Sequence, residues 1–226
     1  LSIKNILRNN LPVLFFLLAA ILLLYSNTFH SPFTFDDAQI LDNYFIAQDN
    51  PTWESLKLVP AMSPNRARLL PNLTFALNYY FGGSSVWGYH LVNIIIHIAV
   101  TFVFFLLAKT TLNLPGMGNR LKHSGEIAFA AALLWAVHPL QTNAVTYIVQ
   151  RMTSMATLFF LLALLCYIKG RITAVGLRKI IYFAATILFG VMALFSKENS
   201  GMLPVMILVY ELFFLSRPGQ MKKNRK

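Results

Sequence analysis

The stretch Val86–Leu112, "VWGYHLVNIIIHIAVTFVFFLLAKTTL", decides how the chain folds. Its 27 residues contain a single charged side chain, Lys109, close to one end. Wound as a helix at about 1.5 Å per residue they reach roughly 40 Å, more than the hydrocarbon core of about 30 Å. The polar residues inside the stretch are ordered: His90, Asn93 and His97 stand at i, i+3 and i+7 and so share one face. Polar groups within a membrane turn toward the bundle or a cavity, which predicts neighbouring helices along this face. Interhelical hydrogen bonding is the expected work of Asn93 and His97. His90, nearest the outer surface, is a candidate site residue. Two histidines alone supply too few ligands for a metal.

Outward from this stretch the same composition continues. The 226 residues are 57% hydrophobic and 12% charged, with mean hydropathy +0.59. Soluble domains carry about twice that share of charge. The sequence therefore predicts an all-α, polytopic membrane helix bundle with about six spans, at 11–29, 86–112, 125–137, 144–168, 180–195 and 201–215. The third and fifth are short for a full crossing. All of 1–226 is expected to form a single membrane domain, the N-terminal part of a longer protein. The first apolar run is too long for a signal-peptide core and lacks a small-residue cleavage site after it, so it reads as a retained anchor. A lone cysteine, Cys166, excludes an internal disulfide.

The formal charge of +11 has a topological origin. With both termini in the cytoplasm, only Lys57, Arg66, Arg68, Arg151 and Lys197 of the 19 Lys and Arg fall on the outer side. The basic surplus then calls for no nucleic acid. This orientation makes 28–85 a long extracytoplasmic loop, and its mixed segments "PTWESLKLVPAM" and "LLPNLTFALNYYF" suit helices lying in the interface. Five of the eight acids, Asp36, Asp37, Asp42, Asp49 and Glu54, lie in that loop.

Chemistry is sought on the outer face. Adjacent carboxylates, Asp36 and Asp37, follow the first span, where one of them can cap a short helix or act as a base. Arg66 and Arg68 follow in "PNRARLLPNLTF", and a guanidinium suits phosphate because its donors form a bidentate fork. Two short outer turns, "WAVHPLQTNAVTYIVQR" and "LFSKENSGMLP", add His138, Arg151, Lys197 and Glu198. Each has a plain alternative role in a turn, a helix start or a headgroup contact. Their convergence on one face is what suggests a site.

Taken in order, "FDD" (35–37), "NRARLLPNLTFALNYYFGG" (65–83), "GYHLVNIIIH" (88–97), "HPLQTNAVTYIVQR" (138–151) and "FSKENSGMLP" (195–204) resemble the N-terminal membrane region of the transmembrane and tetratricopeptide-repeat family. These are O-mannosyltransferase-like members of the C-type glycosyltransferase superfamily. The resemblance implies transfer of a mannose-like sugar from a polyprenyl- or dolichyl-phosphate carrier to an acceptor hydroxyl, with inversion, on the extracytoplasmic side of a bacterial inner membrane or an endoplasmic reticulum membrane. It implies Asp36 as catalytic base with Asp37 beside it. Arg68, Arg66, Arg151 and Lys197 become candidate phosphate contacts, and His90, His138 and Glu198 further site residues. The expected partners are a lipid-linked sugar donor, a protein or glycan acceptor and the bilayer. No cofactor is required, although paired acids are compatible with a divalent metal. Where the family commonly has Pro-Leu after its arginine, this chain has Leu-Leu-Pro after Arg68. Two other readings stand beside the enzyme: a non-catalytic membrane module, such as a transporter component or assembly subunit, and a catalytically incomplete fragment.

Overall fold

The structure, a computed structural model, describes residues 9–44, 46–48, 52–62, 68–114 and 123–215. Helix α1 (Leu11–Tyr25) starts with a proline in its first turn, where the missing N–H has no partner to lose, and runs on as a 3-10 turn to His30. Three helices follow among the described residues of the loop before the second span: the short α2 (Ala38–Leu41), α3 (Trp53–Met62) and α4 (Leu69–Gly82). Helix α5 (Val86–Leu112) spans the whole decisive stretch, and α6 (Ser124–Ala136) returns beside it. A short α7 (Gln141–Thr146) leads into α8 (Arg151–Ile172), which packs extensively against α9 (Leu177–Leu194). Helix α10 (Leu203–Tyr210) is entered through a 3-10 turn, Glu198–Met202, and leaves through a π-helical turn, Glu211–Leu215.

Among the described residues, five stretches are long and apolar enough to cross a membrane: Leu11–His30, Val86–Leu112, Ile148–Ile172, Leu177–Leu194 and Glu198–Leu215. The chain is thus a polytopic helical membrane protein. The expected third span, α6, has only 13 residues and reaches roughly 20 Å. The expected fifth span is longer than its apolar run suggested, at 18 residues. The fourth differs more. An uninterrupted helix over 144–168 was expected, but the chain breaks at Tyr147, which is extended at ψ 109°, and resumes through a 3-10 turn, Ile148–Gln150. The break is held from outside. The Asn93 amide donates to the carbonyls of Val145 and Ile148, both at 3.3 Å, and the Ser154 hydroxyl donates to that of Ala144 at 3.1 Å. Side chains elsewhere thereby satisfy carbonyls that the interrupted helix leaves open.

The polar face of α5 does what its spacing predicted. His97 donates through Nε2–H to the Ala136 carbonyl at 3.0 Å, which ties α5 to the end of α6. Its ring stacks on Trp135 and meets Tyr25 edge-on. Around these groups Ile21, Tyr25, Ile94, Ala136 and Val145 close one part of the core. A second cluster, with Ile40, Leu56, Val59, Phe75, Tyr89 and Ile148, seats α2, α3 and α4 on the bundle. A third joins α5, α8 and α10 at the other end through Leu107, Leu164, Ile168 and Tyr210. There the Arg171 guanidinium forms a two-pronged ion pair with Glu211, whose Oε2 also accepts from the Tyr167 hydroxyl at 2.8 Å. Gly170 admits α9 closely, since a Cβ there would stand 3.3 Å from Tyr182 and Phe183.

Candidate functional site

At the end of the bundle that carries the loop 28–85, residues far apart in sequence meet. The approach begins at Thr34, extended at φ −136°, which starts the 3-10 turn Phe35–Asp37. Asp37 reaches back so that its Oδ2 accepts from the Thr34 N–H at 3.1 Å and the Thr34 hydroxyl at 3.5 Å. Its Oδ1 accepts from the Val149 N–H at 2.7 Å, across 112 residues of sequence. Three donors and an exposure of 1% leave this carboxylate a structural one, capping its turn and fastening it to the break before α8. Asp37→Ala is expected to lower stability by about 1–2 kcal/mol, the usual cost of a lost cap, readable as a lower melting temperature in detergent.

Asp36 faces the other way. It is exposed, its N–H donates to the Tyr147 hydroxyl at 2.9 Å, and its Oδ1 accepts from the Gln39 amide at 3.3 Å. Burial raises the pKa of the Tyr147 phenol, opposed by the hydrogen bond from the Asp36 N–H and reinforced by the Asp36 carboxylate. Phe35, between Thr34 and Asp36, is the single non-glycine residue with positive φ among the described residues, at 47°. For a bulky side chain that conformation costs about 1–2 kcal/mol.

Arg68 lies at the start of α4. Its guanidinium donates to Glu198 at 3.2 Å and contacts the Met152 sulfur at 3.6 Å, while Nε is buried without a partner. The Leu70 N–H donates to the Phe195 carbonyl at 3.1 Å, so the turn bearing Lys197 and Glu198 is stitched to this helix start. A cavity of about 440 Å³ opens beside Arg68. Gln39, Asp42, Asn43 and Asn72 contribute its polar lining, and Ile40, Ile46, Phe75, Val149 and Met152 its apolar lining. Gln39 therefore touches both the cavity and Asp36. Lys197 is half-buried and donates to the Thr153 hydroxyl at 2.8 Å.

The remaining expected site residues lie elsewhere or are engaged differently. Arg151 is fully buried, with donors directed at Asn93 Oδ1 (2.8 Å), the Thr74 hydroxyl (3.2 Å) and the Tyr89 carbonyl (3.0 Å). Phe75 packs over it at 4.4 Å, so this guanidinium serves the junction of α4, α5 and α8 and offers no surface to a phosphate. His90 is buried and donates through Nε2–H to the Ser31 carbonyl at 2.9 Å, leaving Nδ1 without a partner. His138 is exposed and accepts locally from the Leu140 N–H at 3.2 Å. Arg66 falls outside the described residues. Among the described residues no three His, Cys, Asp or Glu side chains cluster as ligands for a metal. Sequence reasoning passed over Tyr147, Gln39 and Asp42. Tyr147 stands inside a stretch already singled out, but only the break in the helix turns its hydroxyl to Asp36.

The chain is 35% identical over 206 residues to the mouse protein O-mannosyl-transferase TMTC2, covering 87% of this chain and 23% of the relative. It is 40% identical over 157 residues to the Xenopus laevis tmtc2 protein, covering 66% of this chain and 18% of the relative. It is 31% identical over 199 residues to human TMTC3, covering 84% and 20%. The chain thus spans about a fifth of the length of these relatives. No family model matches the chain, and no solved structure matches it. Across most of its own length the chain is a homologue of the TMTC protein O-mannosyl-transferases.

Proposed function

We propose that this region forms the donor side of an inverting glycosyltransferase that moves a mannose-like sugar from a polyprenyl- or dolichyl-phosphate to an acceptor hydroxyl, such as that of a protein Ser or Thr. The site faces the extracytoplasmic side, with both termini in the cytoplasm. The observation that carries the reading is the exposed carboxylate of Asp36 beside a cavity that holds Arg68, joined to it by Gln39. The names of the homologous proteins supply the transferred group.

In the reaction the acceptor oxygen attacks the anomeric carbon as the bond from that carbon to the phosphate oxygen breaks. The electron pair leaves with the lipid phosphate, and the acceptor proton passes to the Asp36 carboxylate. Because Asp37 is consumed by Thr34 and Val149, its role is to fix Asp36 in place. A departing phosphate needs charge stabilisation more than a proton, which favours the Arg68 guanidinium. Lys197, on the neighbouring turn, adds positive charge.

The test uses the full-length protein and a sugar-loaded polyprenyl phosphate. Turnover is expected in the wild type, and Arg68→Gln should weaken the use of donor by roughly 10–100-fold, the worth of one charge-assisted hydrogen bond. Absence of donor turnover in the wild type, with any sugar on the lipid, sinks the enzyme reading and leaves a membrane module.

A further inference from the structure

Phe35 combines two features that rarely occur together. Its backbone occupies the left-handed region at φ 47°, and its ring is 90% exposed. Strain of this kind is ordinarily offset by packing, yet this ring buries almost nothing. It stands edge-on to Tyr147 with centroids 6.4 Å apart and planes at 83°. Tyr147 in turn takes the Asp36 N–H on its hydroxyl at 2.9 Å. The surroundings hold the strained conformation: Thr34 before it is bonded to Asp37, and Asp36 and Asp37 after it are fastened to Tyr147 and Val149. Strained backbone that its neighbours over-determine belongs to functional positions more often than to packing.

The groups gathered there match one ligand chemistry. A hexose presents an apolar face of C–H bonds and a rim of hydroxyls. An open aromatic face suits the first, and a carboxylate, an amide and a phenol suit the second. Phe35, Asp36, Gln39 and Tyr147 supply that set within one turn and the loop it touches. Insertion of the ring among lipid chains fits less well, because the neighbouring polar side chain of Asp36 would be carried toward hydrocarbon.

We propose that Phe35, braced by Tyr147, is a stacking wall for the sugar ring of the lipid-linked donor, so that this residue selects the loaded carrier over the empty one. The inference rests on the donor reading given above and names the part of the site that recognises the sugar.

The experiment compares binding of a mannosylphosphoryl-polyprenol with binding of the bare polyprenyl phosphate, using full-length protein in phosphatidylcholine nanodiscs. The wild type is expected to prefer the loaded lipid. Phe35→Gly accepts positive φ without strain, so it should melt no lower than wild type while losing roughly 3–10-fold of that preference, the worth of one aromatic contact. Its affinity for the bare lipid should be unchanged, and Phe35→Trp should keep the preference. Retention of the preference in Phe35→Gly overturns the inference and leaves the donor reading standing. An equal loss for both lipids also overturns it and makes Phe35 a bilayer contact. A wild type that binds neither lipid removes the donor reading itself.

Discussion

Asp36→Asn in the full-length protein is expected to reduce sugar transfer by about 10²–10⁴-fold, the range supplied by a positioned general base. An amide cannot take the acceptor proton, but it keeps the size of the side chain and its reach to Gln39. The hydrogen bond to Tyr147 runs through the Asp36 backbone N–H and survives the change. Because Asp36 is exposed, stability should move by no more than about 0.5 kcal/mol. The loss should therefore fall on kcat at an unchanged melting temperature, the opposite of what Asp37→Ala should show. Equal transfer by wild type and Asp36→Asn would show that another group is the base.

Arg151→Met should produce the largest loss of stability, roughly 2–4 kcal/mol, followed by unfolding in detergent at increasing temperature. The guanidinium is buried and binds three acceptors on two other helices: Thr74 on α4, Tyr89 and Asn93 on α5. Removing it leaves Asn93 Oδ1 without its donor in the protein interior, where an orphaned acceptor costs about 1–3 kcal/mol. It also strips a cation from the face of Phe75, and methionine restores only the packing. Arg151→Lys should fall between, since one ammonium cannot span three acceptors in a fixed plane. A melting temperature unchanged in Arg151→Met would mean that the network contributes no stability. If Arg151 contacted donor phosphate instead, the variant would melt normally and lose donor affinity.

What was legible from the residues alone was whatever depends on local pattern. The apolar runs located the long helices, and the spacing of His90, Asn93 and His97 identified the inward face of α5. What could not be read depends on contacts distant in sequence. Asp36 and Asp37 look interchangeable until the Val149 N–H, 112 residues on, takes one of them as its acceptor. Residues 144–150 carry no strong helix breaker, so the break at Tyr147 emerges only when Asn93 claims the carbonyls on either side of it. Arg151 follows an outer turn and so resembled a headgroup contact. Phe75 and Tyr89 enclose it, and neither is its neighbour in the chain. The pairing of Arg68 with Glu198 likewise joins two loops whose proximity no periodicity announces.

The interrupted helix between α7 and α8 also has a mechanical consequence. Its middle is gripped twice, by Asn93 on α5 and by the carboxylate of Asp37 on the loop after α1. A rigid rod would leave the Val145 and Ile148 carbonyls and the Val149 N–H inside one continuous ladder; the interrupted one frees them to tie the turn that carries Asp36 and Asp37 to α5.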